Sequence, residues 1–432
     1  EIVNSDWSSD VCSSDLFLTI AALFMFGCTK TSECYVEKAE TLTEVKSGCR
    51  SLTEISEIAQ KAAMNFMADG TKSNKVVKIA SIIPYNEALT KSSEEPLCYV
   101  VGYENRGFSI IGAKKNMPEV LVYSENGDYD VLSSSSEGFK MYMGDMISQL
   151  ARIDDSDMPD ILYTKIDSTR TNSFNYPLVS VVWHQHEPFN WYCNGYPAGC
   201  VAIAMGQAMS VFDYPKSINL TFPSAPSSSV SLNWNEIKNS IHSSEHSMSC
   251  EYCNQTALFI REIGQRVQMS YSMVESSADI IRFGQSAFSS FGFTCSSDFA
   301  YNLNLILKDL ENKRPVLIGG FPSDPNKSGH IWVTDGSKYT KLEKRYYDVS
   351  SKTGIKKLNH TENIEDWYLH FNYGYGEETC GYYLTQRIKS GEGSLYIDGT
   401  YRETVVSIFS APAPNHTAYN NNVVIFKNIH PQ

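Results

Sequence analysis

Nowhere in its 432 residues does the chain hold an apolar run long enough to cross a bilayer. The longest, Leu16 to Cys28 (LFLTIAALFMFGC), is about a dozen residues where a spanning helix takes about 20. Positive charge is also scarce: 36 Lys and Arg stand against 49 Asp and Glu, a net charge of -13 with no basic patch, which excludes nucleic acid as the natural partner. Self-similarity of solenoid period is absent, which excludes a repeat array. What remains is a soluble globular composition, 42% hydrophobic and 20% charged, rich in Tyr and Phe. At about 150 residues per domain the length suggests two or three domains.

The short apolar run suits the core of an export signal, although residues 1–16 contain no Lys or Arg to open one. They repeat SSD in WSSDVCSSDL, which reads as a sequencing artefact, and they are set aside from the fold. Residues 1–27 are expected to be a signal peptide. Met25-Phe26-Gly27-Cys28 is similar to a bacterial lipobox, which implies lipidation of Cys28 and a surface lipoprotein; without it the chain is secreted. Of the eleven cysteines, Cys34, Cys49, Cys98, Cys193, Cys250, Cys253, Cys295 and Cys380 are free to pair in an oxidising compartment, with connectivity open.

Residues 53–68 place apolar side chains at helical spacing, with Ser51 or Thr53 as cap, and strand-like segments follow at 97–104, 107–114 and 119–125. This is a small α+β unit, with a boundary expected near Asp160. Beyond it, helices are expected from Cys200 toward Pro215, at 254–269 and at 304–313. Strands are expected at 314–321, 329–336, 344–350, 367–374, 394–398 and 423–429. Helices first and strands second indicate an α+β fold rather than a doubly wound sheet.

In YPAGCVAIAMGQAM, Cys200 stands where a run of helix formers begins. Free amides and the positive end of the helix dipole favour thiolate there, with pKa values of ~3.5–7.5 when His is nearby; a buried packing cysteine is the competing reading. His330, in SGHIWVTDG, has a small neighbour in Gly329 and an apolar strand behind it, which distinguishes it from His184, His186 and His370 as the proton carrier. Asn372, in HFNYGYG, is placed to orient the imidazole, and Gln185, in WHQHEPFN, to donate to an oxyanion beside the Cys200 amide.

These four motifs, in this order, resemble the streptopain family of papain-like cysteine peptidases. The resemblance implies a two-lobed peptidase with Cys200 as nucleophile, His330 as base, Gln185 in the oxyanion hole and Asn372 as the orienting residue. It further implies Ser277 and Gly329 as substrate contacts. EISEIAQKAAMNFM and CYVVGYENRGFSIIGAKKNMPEVLVYSENGDYD resemble that family's propeptide, so residues 28–160 are expected to be an inhibitory prodomain and 161–432 the peptidase. Substrates would be proteins or peptides, no cofactor is implied, and the membrane would be reached only through lipid at Cys28. Three features depart from the family: Asn372-Tyr373-Gly374-Tyr375-Gly376 has Tyr where the family has Trp, Cys193 is extra, and Ser337–Glu365 is long enough for an added hairpin. A catalytically idle surface lipoprotein that keeps the scaffold for binding is the alternative. His242, His246, Cys250 and Cys253 have zinc-ligand types at close spacing, against a disulfide or free thiols in a Ser-rich loop.

Overall fold

The structure, a computed structural model, describes residues 33–40, 48–66, 77–85, 96–104, 106–127, 136–153, 165–239, 250–321, 329–350, 352–393, 400–407 and 422–432. The front part comprises β1 (Glu33–Glu40), α1 (Leu52–Phe66), β2 (Ile79–Tyr85), β3 (Cys98–Tyr103), β4 (Phe108–Gly112), β5 (Val120–Ser124) and α2 (Glu137–Leu150). Ser51 rather than Thr53 starts α1. Its hydroxyl accepts from the Glu54 amide at 3.2 Å while the Glu54 carboxylate accepts from the Ser51 amide at 2.7 Å, a reciprocal capping box. Ile55, Ala59, Ala62, Ala63 and Phe66 form the buried face of α1, which lies on the antiparallel meander β2–β5. This is the expected α+β unit; the boundary near Asp160 lies outside the described residues.

The second part begins with β6 (Lys165–Asn175) and α3 (Cys200–Ser210), then β7 (Ser217–Asn219), β8 (Ser229–Ser231), α4 (Trp234–Asn239), α5 (Glu251–Arg266) and α6 (Ile280–Ser290). β9 (Phe293–Asp298), α7 (Leu303–Glu311), β10 (Val316–Phe321), β11 (His330–Val349), β12 (Lys356–Asn372), β13 (Gly381–Gly393), β14 (Thr400–Ser407) and β15 (Asn422–Pro431) complete it. From Val201 to Ser210 every residue of α3 is buried, so this helix has no solvent face and is apolar nearly all round, with Gln207 and Ser210 hydrogen-bonded inside. The segments expected as two strands at 329–336 and 344–350 are one strand, and β11 with β12 forms the added hairpin. Its charged middle is stable as a strand because β6 pairs with its other edge, Tyr347 opposite Lys165 through Ser337 opposite Asn175.

One sheet joins both parts, in the order β2-β3-β4-β5-β13-β12-β11-β10-β15-β9. The junction pairs Tyr382 with Tyr123 and Tyr383 with Val122, so the front meander adds its last strand to an edge of the second part. Gly381 is required at that edge, since a Cβ there would run into the Tyr123 carbonyl. Deeper in the interface Lys338, 1% exposed, donates to the Asn65 carbonyl at 2.7 Å. That carbonyl belongs to the last turn of α1, where the helix dipole favours a cation. The ammonium also lies 3.4 Å from the ring centre of Phe66 and 4.5 Å from that of Phe174. An Arg170–Glu119 ion pair at 3.1 Å crosses between the same two parts.

Candidate active site

Gly199 precedes α3 at φ +90°, a conformation that L side chains rarely adopt, and a Cβ there would lie 2.7 Å from the Met269 sulfur. The bend therefore needs glycine, and it delivers Cys200, a half-buried residue, as the first residue of α3. Ser276, from the loop facing this bend, donates its hydroxyl to the Pro197 carbonyl at 2.6 Å and fixes the approach to the cysteine. The amides of Ile331, Val201 and Cys200 itself all bear on the sulfur and favour thiolate. Burial outweighs them and pushes the thiol up to about 11, with Glu275 adding to the rise. The expected acidic thiol is thus not found in this state. The physical reason lies with its partner: among the described residues no hydrogen bond joins the sulfur to the imidazole.

His330 opens β11 opposite Gly320, and the Ile331 amide beside it is the one at the cysteine sulfur, so backbone brings the two residues together. The ring is hydrogen-bonded elsewhere. Nε2 lies 2.9 Å from the Tyr373 carbonyl, so this nitrogen carries the proton and donates it there. The ring is stacked with Trp332 at 6.3 Å and tilted against Tyr375 at 5.5 Å. At 3% exposure, burial brings its pKa down to about 4, opposed by the Tyr373 carbonyl and the Glu137 charge. Glu137 belongs to the first turn of α2, in the front part of the chain. The next residue, Gly138, sits so near that a Cβ would come 2.7 Å from His330 Cδ2 and closer still to the Tyr373 ring. Local sequence could not reveal this wedge, because Gly138 carries no side chain and its partners are nearly two hundred residues away.

Asn372 ends β12 and is 3% exposed. It does not bond to His330 in this state: its Nδ2 donates to the Val181 carbonyl at 3.1 Å, and its Oδ1 accepts from Gln207 Nε2 at 3.0 Å and from the Gly374 amide at 3.1 Å. Gln207, fully buried on α3, is a partner that the sequence reading missed; it lies in the same motif as Cys200, two turns along. Gln185 is 9% exposed, and its backbone carbonyl accepts from the Ala198 amide at 2.8 Å, which holds it beside the turn into Cys200. Gly329 directly precedes His330, and exposed Ser277 exchanges backbone hydrogen bonds with Ser270 at 2.8 and 3.0 Å at the foot of the loop carrying Ser276.

The competing histidines have other partners. His184 Nδ1 accepts from the His186 amide at 3.2 Å, and His370 Nδ1 pairs with Asp335 at 2.6 Å. Tyr373 takes the place of an indole with a ring 1% exposed, packed on Trp332 at 5.3 Å, and its hydroxyl is buried without a partner. Cys193 is buried, which pushes its thiol up to about 11. Cys250 and Cys253 form a disulfide that opens α5, while His242 and His246 lie outside the described residues. Among the described residues no group of His, Cys, Asp and Glu is arranged to hold a metal, and no helix is long and apolar enough to cross a membrane.

Residues 183–383 match the Peptidase C10 family, and residues 45–149 match the Spi protease inhibitor family. The chain is similar to thiol protease/hemagglutinin PrtT of Porphyromonas gingivalis, 23% identical over 83% of this chain and 42% of that protein. It is also similar to streptopain of Streptococcus pyogenes, 25% identical over 55% of this chain and 68% of the relative. The chain thus spans less than half the length of the first of these. A solved prointerpain A fragment from Prevotella intermedia shares the fold with a TM-score of 0.50 and 18% identity, over 82% of this chain and 99% of that one. Residues 183–383 are therefore a Peptidase C10 family domain, the family of streptopain, and residues 45–149 ahead of them a propeptide-like domain of the Spi inhibitor type.

Proposed function

We propose that the chain is the zymogen of an exported bacterial cysteine endopeptidase, silent while the first turn of α2 rests on His330. The observation that carries this reading is the Ile331 amide bearing on the Cys200 sulfur, which puts His330 beside it in the chain, while the start of α2 packs close against the His330 ring. With α2 removed, the His330 ring is free to turn from Tyr373 to Cys200 and take its proton. The thiolate then attacks a peptide carbonyl, the Cys200 amide and the Gln185 side chain hold the oxyanion, and His330 protonates the leaving amine. Water releases the acyl group by the reverse sequence. Asn372, braced by Gln207 and Val181, orients the ring, and Ser277 and Gly329 border the substrate. The propeptide spans 28–160 and the peptidase 161–432, with Cys28 as a lipid attachment point at the cell surface. A thiol-directed epoxide tests the reading. After prodomain removal it should label Cys200 alone, and labelling spread over the other cysteines, or none, would refute it in favour of a binding protein.

Proton counting gives the pH dependence of release. With α2 docked, the sulfur keeps its proton below about 11 and the ring is neutral above about 4, so the pair holds one proton between those limits. An opened thiolate–imidazolium pair also holds one, since a His-paired cysteine of this kind protonates only near pH ~4. The proton moves from sulfur to ring and none is taken up. Docking is therefore expected to vary less than about twofold from pH 5 to 7.5. In Cys200→Ala the ring titrates alone, at ~6.5 when open and about 4 when docked. Docking should then be full above pH ~6.5 and weaken about tenfold per unit as pH falls toward 4. Hydrogen-exchange protection of α2 amides, corrected for intrinsic rates, measures both.

A further inference from the structure

The hairpin β11–β12 departs from the general charge of the molecule. From Val349 to Thr361 the sequence has no Asp or Glu, although the whole chain carries -13. All of residues 352–358 are exposed, among them Lys352, Lys356 and Lys357. Between these lysines stand Ile355, 67% exposed, and Leu358, 49% exposed. The expectation of a chain without a basic patch therefore fails here. The turn is built rather than slack: the Gly354 amide donates to the Ser350 carbonyl at 2.9 Å and the Ser350 amide to the Ile355 carbonyl at 3.0 Å. Gly354 stands at φ +66° with nothing near its missing Cβ, so the turn faces open solvent. Asp348, the acid at its base, already accepts from Asn359 Nδ2 at 3.2 and 3.3 Å.

The strand length gives the tip its reach. β11 runs 20 residues from His330, so at ~3.3 Å per residue the tip stands up to roughly 60 Å from the cleft. That exceeds several times the ~8 Å Debye length at physiological salt. An acidic body that an anionic surface repels can thus stand off while its tip makes contact.

We infer that the tip formed by Lys352, Ile355, Lys356, Lys357 and Leu358 docks the protein on an anionic lipid surface. The ammonium groups meet phosphate headgroups, and the Ile355 and Leu358 side chains enter the boundary between headgroup and acyl chain. A soluble polyanion would satisfy the lysines and leave both apolar side chains in water, whereas a bilayer interface takes both kinds of group. The contact is separate from any lipid on Cys28 and does not depend on the catalytic reading.

The experiment uses full-length Cys200→Ala protein, so that no self-cutting intervenes, with phosphatidylcholine vesicles that contain or lack phosphatidylglycerol. Sedimentation should show a marked preference for the anionic vesicles. The apolar stretch near the N-terminus would drive binding to both kinds alike, so the difference between them is the signal. Replacing Lys352, Lys356 and Lys357 by Gln together should reduce that preference on the order of 100-fold. Ile355→Ser with Leu358→Ser should reduce it about tenfold or more. Ile355→Trp should shift its emission to the blue on anionic vesicles only. Equal partition into both vesicle types, or lysine variants that bind as before, overturns the proposal. So does charge-dependent binding that ignores the apolar changes and is competed away by heparin, which would mark a site for soluble polyanions. In the otherwise wild-type chain the same tip changes should leave casein hydrolysis unaltered, so a failure here is distinct from a failure of the peptidase assignment.

Discussion

Cys200→Ala is expected to abolish casein hydrolysis, with kcat/KM lowered by at least ~10⁴-fold, while the proform keeps its fold. The size of the effect follows from what the alternatives lack. Cys98 and Cys380 are pushed by burial far above the usual thiol range, and Cys295 up to about 12 with no opposing group at all. Cys193 also sits at about 11, with Tyr271 and Arg261 as its interacting neighbours. Among the described cysteines only Cys200 combines a helix start, three backbone amides bearing on its sulfur and a histidine next to one of those amides in the chain. Alanine is the best helix former and introduces no cavity at a partly exposed first-turn position, so stability should change by less than about 1 kcal/mol. Unaltered melting with lost turnover identifies a chemical role, whereas activity within tenfold of wild type would remove Cys200 from the mechanism. Sequencing the new N-terminus that appears in the wild type, and asking whether it appears in the variant, also shows whether the prodomain is cut off by the enzyme itself.

The parts of this site that are legible in the sequence are those in which the chemistry and its support are neighbours in the chain. Gly199 and Cys200 sit together because the bend must be glycine for the thiol to open the helix, and Gly329 directly precedes His330. The α1 cap and the β2–β5 meander are legible for the same reason, since caps, turns and alternation are local. What escaped depends on distant partners. β6, KIDSTRTNSFN, has no apolar face to announce it and is a strand because backbone hydrogen bonds from β11 and β1 fall on both its edges. The strands expected at 329–336 and 344–350 leave the polar stretch 337–343 between them, and only pairing on two sides makes β11 continuous there. The pKa of Cys200 was placed too low for a related reason. A helix start is visible in sequence, but burial of the thiol in the folded chain is not. Lys338 is a surface residue by type and a buried anchor by position, held there by Phe66, Phe174 and a helix end that only the docked prodomain supplies.

Gly138→Leu is the second change from which a large effect is expected, and it acts without touching the peptidase chemistry. A side chain at 138 must displace either the His330 ring, whose Cδ2 would lie 2.7 Å from the new Cβ, or the Tyr373 ring, which is closer. Neither can yield: His330 is packed against Trp332 and Tyr375, and Tyr373 against Trp332, Phe371 and Tyr383. The start of α2 must therefore lift. Phe139, Tyr142, Met143, Met146, Ile147 and Leu150 remain to hold the rest of the helix, so the prodomain should stay folded. Overpacking of this kind costs about 1–3 kcal/mol, which corresponds to an open form about 5- to 150-fold more populated. In the uncut chain, epoxide labelling of Cys200 should rise by that factor, and the pH at which labelling reaches half its maximum should move from about 11 down toward ~4 as the thiol regains its imidazole. Gly48→Ala, where a Cβ meets nothing within 4 Å, is the matched control and should label as the wild type does. A folded Gly138→Leu protein that labels no faster than the control would mean that α2 does not gate the thiol, and inhibition would then have to come from some other part of the propeptide.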